Sequence, residues 1–547
     1  MLLEALRHVL ANPSIRRAQV AWFLGIAGQW IYLVCVLVYA YDIGGVVAAA
    51  LASTLRMLPA ALLAPFVTTL ADRLPPNRVL LGVHGGRALV AGAIALVIAG
   101  GLSPVLVYGA IVFEGVLATL HRPTTMALMP ALARSPQELV ATNAVTSTGE
   151  STGTLIGPAI GGLLLAMGGP VLGIAATAAG FAVAAVTVSN IDARRPVEPD
   201  AAGDRSRLRE LAGGFSALRD YPSAGLLIGL FSAQTFVRGV LTVLLVAVSV
   251  ELLLLGEAGL GYLNSAIGAG GLLGAFLTFA LVMRRHLATP FSIALAGWGL
   301  PIVLIGLVPI GPLAFAALAI LGLANAVLDV SGFSLLQRCV PNALRGRVFG
   351  ALEGIVSLTF GLGSLTAPAL VELFGIRGAL VAAGALLPAV ALVSFALVRR
   401  ADAAAVVPER QVGLLRGVPM FTPLPMTILE QIASGLVEER HDEGAEVIRQ
   451  GAAGDCWYLV VEGAVEVVHD GRRVATLGPG DGFGEIALLS QRPRTATVVV
   501  REPAQVYRLP RTVFLEAVTG HPHAMIAGEA LVSRRLSELG HPEAGSG

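Results

Sequence analysis

Residues 377–398 read RGALVAAGALLPAVALVSFALV, and Arg399 and Arg400 follow at once. From Gly378 to Val398 no residue is charged. At a rise of about 1.5 Å per residue such a run reaches about 30 Å, the thickness of a bilayer's hydrocarbon core. The stretch is typical of what precedes it. The 547 residues are 55% hydrophobic and 13% charged, with a mean hydropathy of +0.78. Soluble chains run at about 25% charged. A disordered chain, a nucleic-acid binder and an ordinary soluble enzyme are therefore poor fits, and a polytopic membrane protein is the natural reading. Net charge is +1, so no bulk field points to an anionic partner. All 37 basic residues are Arg, which speaks of a GC-rich genome more than of mechanism. Cys35, Cys339 and Cys456 are scattered and imply neither a disulfide framework nor a metal site.

Twelve segments are long and apolar enough to span, near 18–40, 46–70, 79–99, 104–132, 138–167, 171–190, 223–251, 259–283, 289–309, 312–338, 343–374 and 377–398. Residues 1–17 read as a short amphipathic helix stopped at Asn12-Pro13, not as a cleaved signal peptide. Arg16, Arg17, Arg73, Arg78, Arg134, Arg194, Arg195, Arg205, Arg207, Arg209, Arg284, Arg285, Arg345, Arg347, Arg399 and Arg400 fall on one side, and Arg377 stands on the other. The opposite connections are short and Gly-rich: Asp42 to Gly45, Gly100 to Pro104, Met167 to Pro170, Gly375 to Gly378. The positive-inside rule then sets both termini in the cytoplasm of an inner (plasma) membrane protein. The chain divides into a six-helix half (1–190), an inter-half loop (191–222), a second half (223–400), a linker (401–418) and a soluble module (419–540). Pro136, Glu150 and Gly157-Pro158 are echoed by Pro341, Glu353 and Pro368 about 205–210 residues on, a weak parallel repeat.

Span two ends in Leu70-Ala71-Asp72-Arg73-Leu74, with Arg78 beyond. Span five holds Gly153-Thr154-Leu155-Ile156-Gly157-Pro158-Ala159-Ile160-Gly161-Gly162. The first resembles the loop 2–3 signature of the major facilitator superfamily, with Thr68 and Pro75 where Gly is usual. The second resembles that superfamily's antiporter motif. The resemblance is to the bacterial multidrug and siderophore exporter branch and covers roughly the first 400 residues. It implies that Asp72 faces a helix N-terminus and locks a cytoplasmic gate with Arg73. It also implies that Gly153, Gly157, Pro158, Gly161 and Gly162 favour export; a packing seam with no bearing on direction is the alternative. The arginine that proton-coupled members carry in span four is absent, Ile111 standing there.

Charges inside spans are costly and so mark pathways. Counting along the helices sets Glu114, Glu150, Arg56, Arg238 and Glu353 near the midplane. Arg87, Arg122 and Asp329 lie nearer the cytoplasm. In the family fold spans two and eleven adjoin, which would pair Arg56 with Glu353 as a structural contact. Glu114, Glu150, Arg238 and Asp329 are the transport or proton candidates. Glu114 and Glu150 have no obvious fixed partner; alternatively each pairs with an arginine and never titrates. His121 reads as a packing residue.

Beyond residue 418 apolar runs shrink to strand length between turns at Glu443-Gly444, Gly451 to Asp455, Asp470-Gly471 and Pro479 to Gly482. This is the pattern of an antiparallel roll, closed by a helix from about His523 to Leu539. Gly482-Phe483-Gly484-Glu485-Ile486-Ala487-Leu488-Leu489, followed by Arg492-Pro493-Arg494-Thr495-Ala496-Thr497, is similar to the phosphate-binding cassette of cyclic nucleotide-binding domains. By that resemblance Phe483, Gly484, Glu485, Ile486, Ala487, Arg494, Thr495 and Ala496 bind the ligand. Arg494 would pair with the cyclic phosphate and Glu485 would accept the ribose 2′-hydroxyl. Thr495 leaves cAMP and cGMP both open, with cAMP favoured. The alternative is a roll that has lost its ligand.

The expected architecture is thus an α-helical polytopic membrane protein with twelve helices in two pseudo-repeat halves, plus a cytoplasmic α+β β-roll. Its expected partners are the lipid bilayer, a small-molecule substrate and a regulatory cyclic nucleotide, with no metal and no nucleic acid. Homodimerisation stays open. The leading function is a proton-coupled exporter of small amphiphiles gated by cyclic nucleotide. A lipid or lysophospholipid facilitator, or a roll used only for docking, are the alternatives. A gated channel is disfavoured because no carbonyl-filter motif is present, and an enzyme because no nucleophile, metal or Walker constellation is.

Overall fold

The computed structural model describes residues 11–71, 74–134, 136–191, 221–281, 286–340, 342–404, 409–490 and 492–538. They form two compact units; the first runs through Met1–Arg134, Ala141–Leu281 and Arg285–Ala405, and the second carries Val406–Gly547. Asp72, Arg73 and residues 192–220 of the inter-half loop lie outside the described residues.

The first unit is all helix: α1 (Pro13–Ala71), α2 (Pro76–Ala99), α3 (Pro104–Leu132), α4 (Pro136–Ser189), α5 (Pro222–Ala247), α6 (Gly256–Leu281), α7 (Ala288–Leu307), α8 (Gly311–Cys339) and α9 (Asn342–Ala404). Prolines open many of them, where the missing N–H costs nothing and φ is already helical. Asn12 separates Ala11 from α1 and caps α1, its Oδ1 accepting the Ser14 N–H at 3.1 Å; residues 1–10 of the expected terminal helix lie outside the described residues. Among the described residues nine helices are long and apolar enough to cross a membrane.

Three of these are too long for one crossing. The 59 residues of α1 would reach about 90 Å if straight. The chain breaks helical geometry at Gly44 and Gly45, at Gly168 and Gly169 in α4, and at Gly375 in α9. Gly45, Gly169 and Gly375 have φ of +61°, +68° and +65°, values that side chains with a Cβ resist. The arms then fold back. In α1, Gly25 faces His121 of α3 while Ala48 accepts a hydrogen bond from Tyr108 and Arg56 meets Glu114. One arm thus runs down α3 and the other runs up it. In α4, Gly153, Gly157 and Gly161 meet Ile26, Trp30 and Val34 in rising order, whereas Phe181 returns to Gly28 and Asn190 to Arg17. Three of the four sequence-expected Gly-rich connections are therefore breaks of one or two residues, whereas Gly100 to Ser103 is a loop between α2 and α3.

The end of α9 also fixes α7. Asp402 Oδ2 accepts the N–H groups of Leu287 and Ala288 at 2.9 and 3.0 Å, satisfying donors that a helix N-terminus leaves over.

The second unit begins earlier than the sequence suggested. Part of the expected 401–418 linker is helix α10 (Glu409–Gly417), and Val412, Leu415 and Val418 join the core of the soluble module. Its apolar spacing gives the helix a buried stripe, which a flexible linker would lack. Then follow α11 (Met426–Ser434), β1 (Val437–His441), β2 (Glu446–Ile448), β3 (Cys456–His469), β4 (Arg472–Leu477), β5 (Gly482–Phe483), α12 (Glu485–Leu489), β6 (Thr497–Pro510), α13 (Arg511–Thr519) and α14 (Pro522–Glu538). The six strands form one antiparallel sheet ordered β1-β6-β3-β4, with β2 on β6 and β5 on β3. Strand periodicity sorts two cores. Trp457, Leu459 and Val461 face the helices with Phe421 and Phe514; Cys456, Tyr458 and Val460 face the interior of the roll with Phe483 and Val506.

Candidate functional site

The roll interior opens into a cavity of about 290 Å³ lined by all eight cassette residues that the sequence singled out: Phe483, Gly484, Glu485, Ile486, Ala487, Arg494, Thr495 and Ala496. Their positions follow from local rules. Phe483 is the last residue of β5 and stacks on Tyr458 at 5.2 Å. Gly484 turns the chain at φ +93° into the short helix α12. A Cβ there would stand 2.6 Å from Arg494 Nη1 and 3.2 Å from the Cys456 carbonyl. The backbone is thus close-packed against the very guanidinium that the cassette needs.

Arg494 is 5% exposed. It donates to the carbonyls of Gly484 and Cys456 at 2.9 and 2.6 Å and to Asp455 Oδ1 at 3.2 Å. A buried cation held by backbone oxygens is pre-positioned, and its remaining capacity faces the cavity. Glu485 is 1% exposed. Its Oε1 accepts from Arg535 at 2.7 Å, while its Oε2 is buried and holds no hydrogen bond among the described residues. An unpaired buried carboxylate oxygen calls for a donor, and a ribose hydroxyl would supply one. The residues present fit a cyclic nucleotide on that ground. Behind the lining, burial pushes the Cys456 thiol up and the Tyr458 hydroxyl up to about 12, so both groups of the roll core are neutral at physiological pH.

Sequence reasoning missed Arg535. It stands fifty positions beyond Glu485 on α14, and its Nη1 also donates to the Gly482 carbonyl at 2.8 Å. The only signal was the Arg534-Arg535 pair on the terminal amphipathic helix; Arg534 lines the cavity as well.

In the helical unit the charges differ from expectation. Arg56 pairs with Glu114, Nε to Oε2 at 3.0 Å, and not with Glu353, which is exposed. The reason is the approach of α1 to α3: a side chain at Gly115 would run into the Arg56 backbone, so its absence brings Arg56 beside Glu114. Arg87 donates to Glu114 Oε1 through Nε at 3.0 Å and Nη2 at 2.7 Å. Glu150, also expected to lack a partner, accepts from Arg122 Nη1 at 2.6 Å in a more open setting. Asp329 accepts from Asn325 at 2.9 Å, Asn325 accepts from Trp298 at 2.9 Å, and Arg238 acts on Asp329 electrostatically. His121 stacks on Trp22 at 5.0 Å, a packing position as read.

The small residues of α4 serve two contacts. Gly153, Gly157 and Gly161 form one face against α1, whereas Gly162 and Pro158 adjoin Ala258 and Gly261 of α6. Across the other seam, Ser53 and Ser364 hydroxyls meet at 3.0 Å, and Tyr41 donates to Glu251 on the π-helical turn Val248–Leu252 that extends α5.

Comparison with known proteins agrees with both units. A family model of the Major Facilitator Superfamily matches residues 20–290, and one of the cyclic nucleotide-binding domain matches residues 438–521. A cAMP-dependent protein kinase regulatory subunit of Yarrowia lipolytica is 36% identical over 127 residues, 23% of this chain and 34% of the relative. The corresponding subunit of Eremothecium gossypii is 37% identical over 95 residues, 17% of this chain and 21% of the relative. The chain thus spans about a third or less of these curated relatives. Among solved structures, the cAMP-bound regulatory domain of Toxoplasma gondii PKA is 29% identical, with a TM-score of 0.22, over 27% of this chain and 56% of that one. The sensor domain of the transcriptional regulator DNR from Pseudomonas aeruginosa is 23% identical, with a TM-score of 0.23, over 25% of this chain and 97% of that one. The glycine-broken helices and the roll with its cassette belong, in one polypeptide, to a Major Facilitator Superfamily protein with a C-terminal cyclic nucleotide-binding domain.

Proposed function

We propose that this chain is a secondary active transporter, an antiporter exporting small amphiphiles against protons, whose activity is set by cyclic nucleotide bound to the roll. The twelve-crossing reading counts each arm of α1, α4 and α9 as one span, with both termini in the cytoplasm of the plasma membrane. The observation that carries the regulatory part is the pair of buried charges in one cavity, Arg494 with its guanidinium pre-positioned and Glu485 with an unfilled oxygen. cAMP is the favoured ligand, supported by the likeness to cAMP-dependent kinase subunits.

The signal has a physical route. A ribose hydroxyl on Glu485 enters the network that already holds Arg535, so ligand and α14 share one carboxylate. Nucleotide biases the protein only through different affinities for two states of that helix. Glu114 and Glu150 sit on arginines. We therefore assign proton carriage to Asp329, whose hydrogen-bonded partner is a neutral amide. Asp72 and Arg73 keep their gate role as a proposal, and so do the α4 glycines with Pro158.

Calorimetric titration of cAMP and cGMP into the full chain, with Arg494→Ala as control, tests the sensor. Saturable binding, tighter for cAMP and lost in the variant, is expected. No heat and no thermal stabilisation with either nucleotide would leave the roll a docking module. Proteoliposome transport with an imposed proton gradient, with and without nucleotide, tests direction and coupling; Asp329→Asn should uncouple it.

A further inference from the structure

The Glu114 cluster does more than neutralise itself. Two guanidiniums, Arg56 and Arg87, meet one carboxylate, which leaves one positive charge without a partner among the described residues of the helical unit. Arg87 is fully buried, lies 4.1 Å above the Phe181 ring, and its Nη1 holds no hydrogen bond among the described residues. The Tyr32 hydroxyl is likewise buried and has no hydrogen-bond partner among the described residues. It interacts electrostatically with Glu114, Arg56 and Arg87 together. An uncompensated charge and two unsatisfied donors at low dielectric each cost several kcal/mol. A protein retains such an arrangement when something else completes it.

The cluster has an open edge. Arg56 engages Glu114 only through Nε, its side chain is 11% exposed, and among the described residues its terminal nitrogens hold no hydrogen bond. It stands within one turn of Ser53 and Thr54, which bond to Ser364 and Gly361 of α9. The exposed edge therefore lies beside a seam with the second half of the bundle. The flanking wall is aromatic, with His84 near Phe181 at 6.4 Å and Trp22 on His121. His84 Nδ1 and His121 Nε2 are also buried and hold no hydrogen bond among the described residues.

The geometry points to Arg56, Arg87 and Tyr32 as the headgroup site for a singly charged oxyanion, so that the amphiphiles this transporter takes are acids and not cations. The inference rests on the transporter reading above and narrows its substrate class. A carboxylate or monoanionic phosphate accepts from the Arg56 edge, Arg87 Nη1 and the Tyr32 hydroxyl, and it supplies the one negative charge that Glu114 leaves short.

The test is equilibrium binding of radiolabelled dodecanoate to the full chain in neutral-lipid nanodiscs. Saturable binding is expected, displaced by dodecyl phosphate and untouched by dodecyltrimethylammonium. Arg87→Gln should weaken it at least 30-fold. Because that variant also strips a buried salt bridge that the fold needs, Tyr32→Phe, which removes a single hydroxyl, decides: a five-fold or greater loss supports the site. Wild-type affinity in a folded Tyr32→Phe, equal displacement by the cation, or no saturable binding overturns it. Binding requires no movement across a membrane. A chain that binds dodecanoate but moves no amphiphile in proteoliposomes therefore refutes the exporter reading alone. One that exports dodecyltrimethylammonium and ignores dodecanoate refutes this inference alone.

Discussion

Replacing Arg535 by Met keeps the aliphatic stem and deletes the guanidinium that joins α14 to the cassette. Two hydrogen bonds go, 2.7 Å to Glu485 and 2.8 Å to the Gly482 carbonyl. Exposed ion pairs contribute about 0–1 kcal/mol and buried ones cost about 3–5 kcal/mol when one partner is removed. Here the arginine side chain is 22% exposed and the carboxylate 1%, so about 2 kcal/mol is the reasonable midpoint. The rest of α14 stays anchored by Ala524 and Leu531 in the helix-facing core. The loss should therefore show as local opening and not as unfolding of the module. At about 1.4 kcal/mol per tenfold, amides of α14 should exchange about 30-fold faster in the ligand-free full chain. The second arm of the experiment isolates the pair. In a Glu485→Gln background the same Arg535→Met change should raise exchange only about five-fold, since a neutral partner binds the guanidinium less well. Exchange in α14 that stays within two-fold of wild type, or an equal effect in both backgrounds, would refute the idea that this ion pair ties helix to cassette.

Gly484→Ala forces a Cβ onto a residue at φ +93° and into Arg494, so it should weaken nucleotide binding at least ten-fold by calorimetry. Glu114→Ala strands two guanidiniums in a buried site and should cost about 3–5 kcal/mol. Glu150→Ala breaks a half-open pair and should cost under about 1 kcal/mol. Loss of monodisperse protein after heating, followed by size exclusion, separates the two. Tyr458 keeps its proton to about 12 in the folded roll but loses it near 10.0 when unfolded. Its contribution is therefore intact below pH 10 and is lost as pH rises from there to about 12. Tyr458→Phe should flatten the alkaline fall in the roll's stability over that interval, read by exchange protection of β3.

What could be read from sequence was whatever is contiguous. The cassette from Gly482 to Thr497 turns on itself within a few residues, so its members fall into one cavity without help from distant segments. The helix breaks at Gly44-Gly45, Gly168-Gly169 and Gly375 were legible for the same reason, since a glycine's freedom acts where it stands. Arg535 was invisible because its pairing depends on how α14 lies over the cassette. The mistaken Arg56–Glu353 pair has a related cause: depth along two helices says nothing of their rotation, and the missing side chain of Gly115 decided which carboxylate Arg56 meets. Helix α10 was lost in a stretch of polar residues whose apolar members, Val412 and Leu415, gain meaning only once a core exists to receive them.

The one- and two-glycine breaks bear on how the chain is made and handled. If each arm crosses once, as proposed above, arms joined so tightly have little slack with which to enter a bilayer one at a time, and each of α1, α4 and α9 is expected to insert as a hairpin. The tips they leave on that end of the bundle offer an antibody or a protease almost no backbone to grip, so an epitope tag meant to report on that face needs its own spacer.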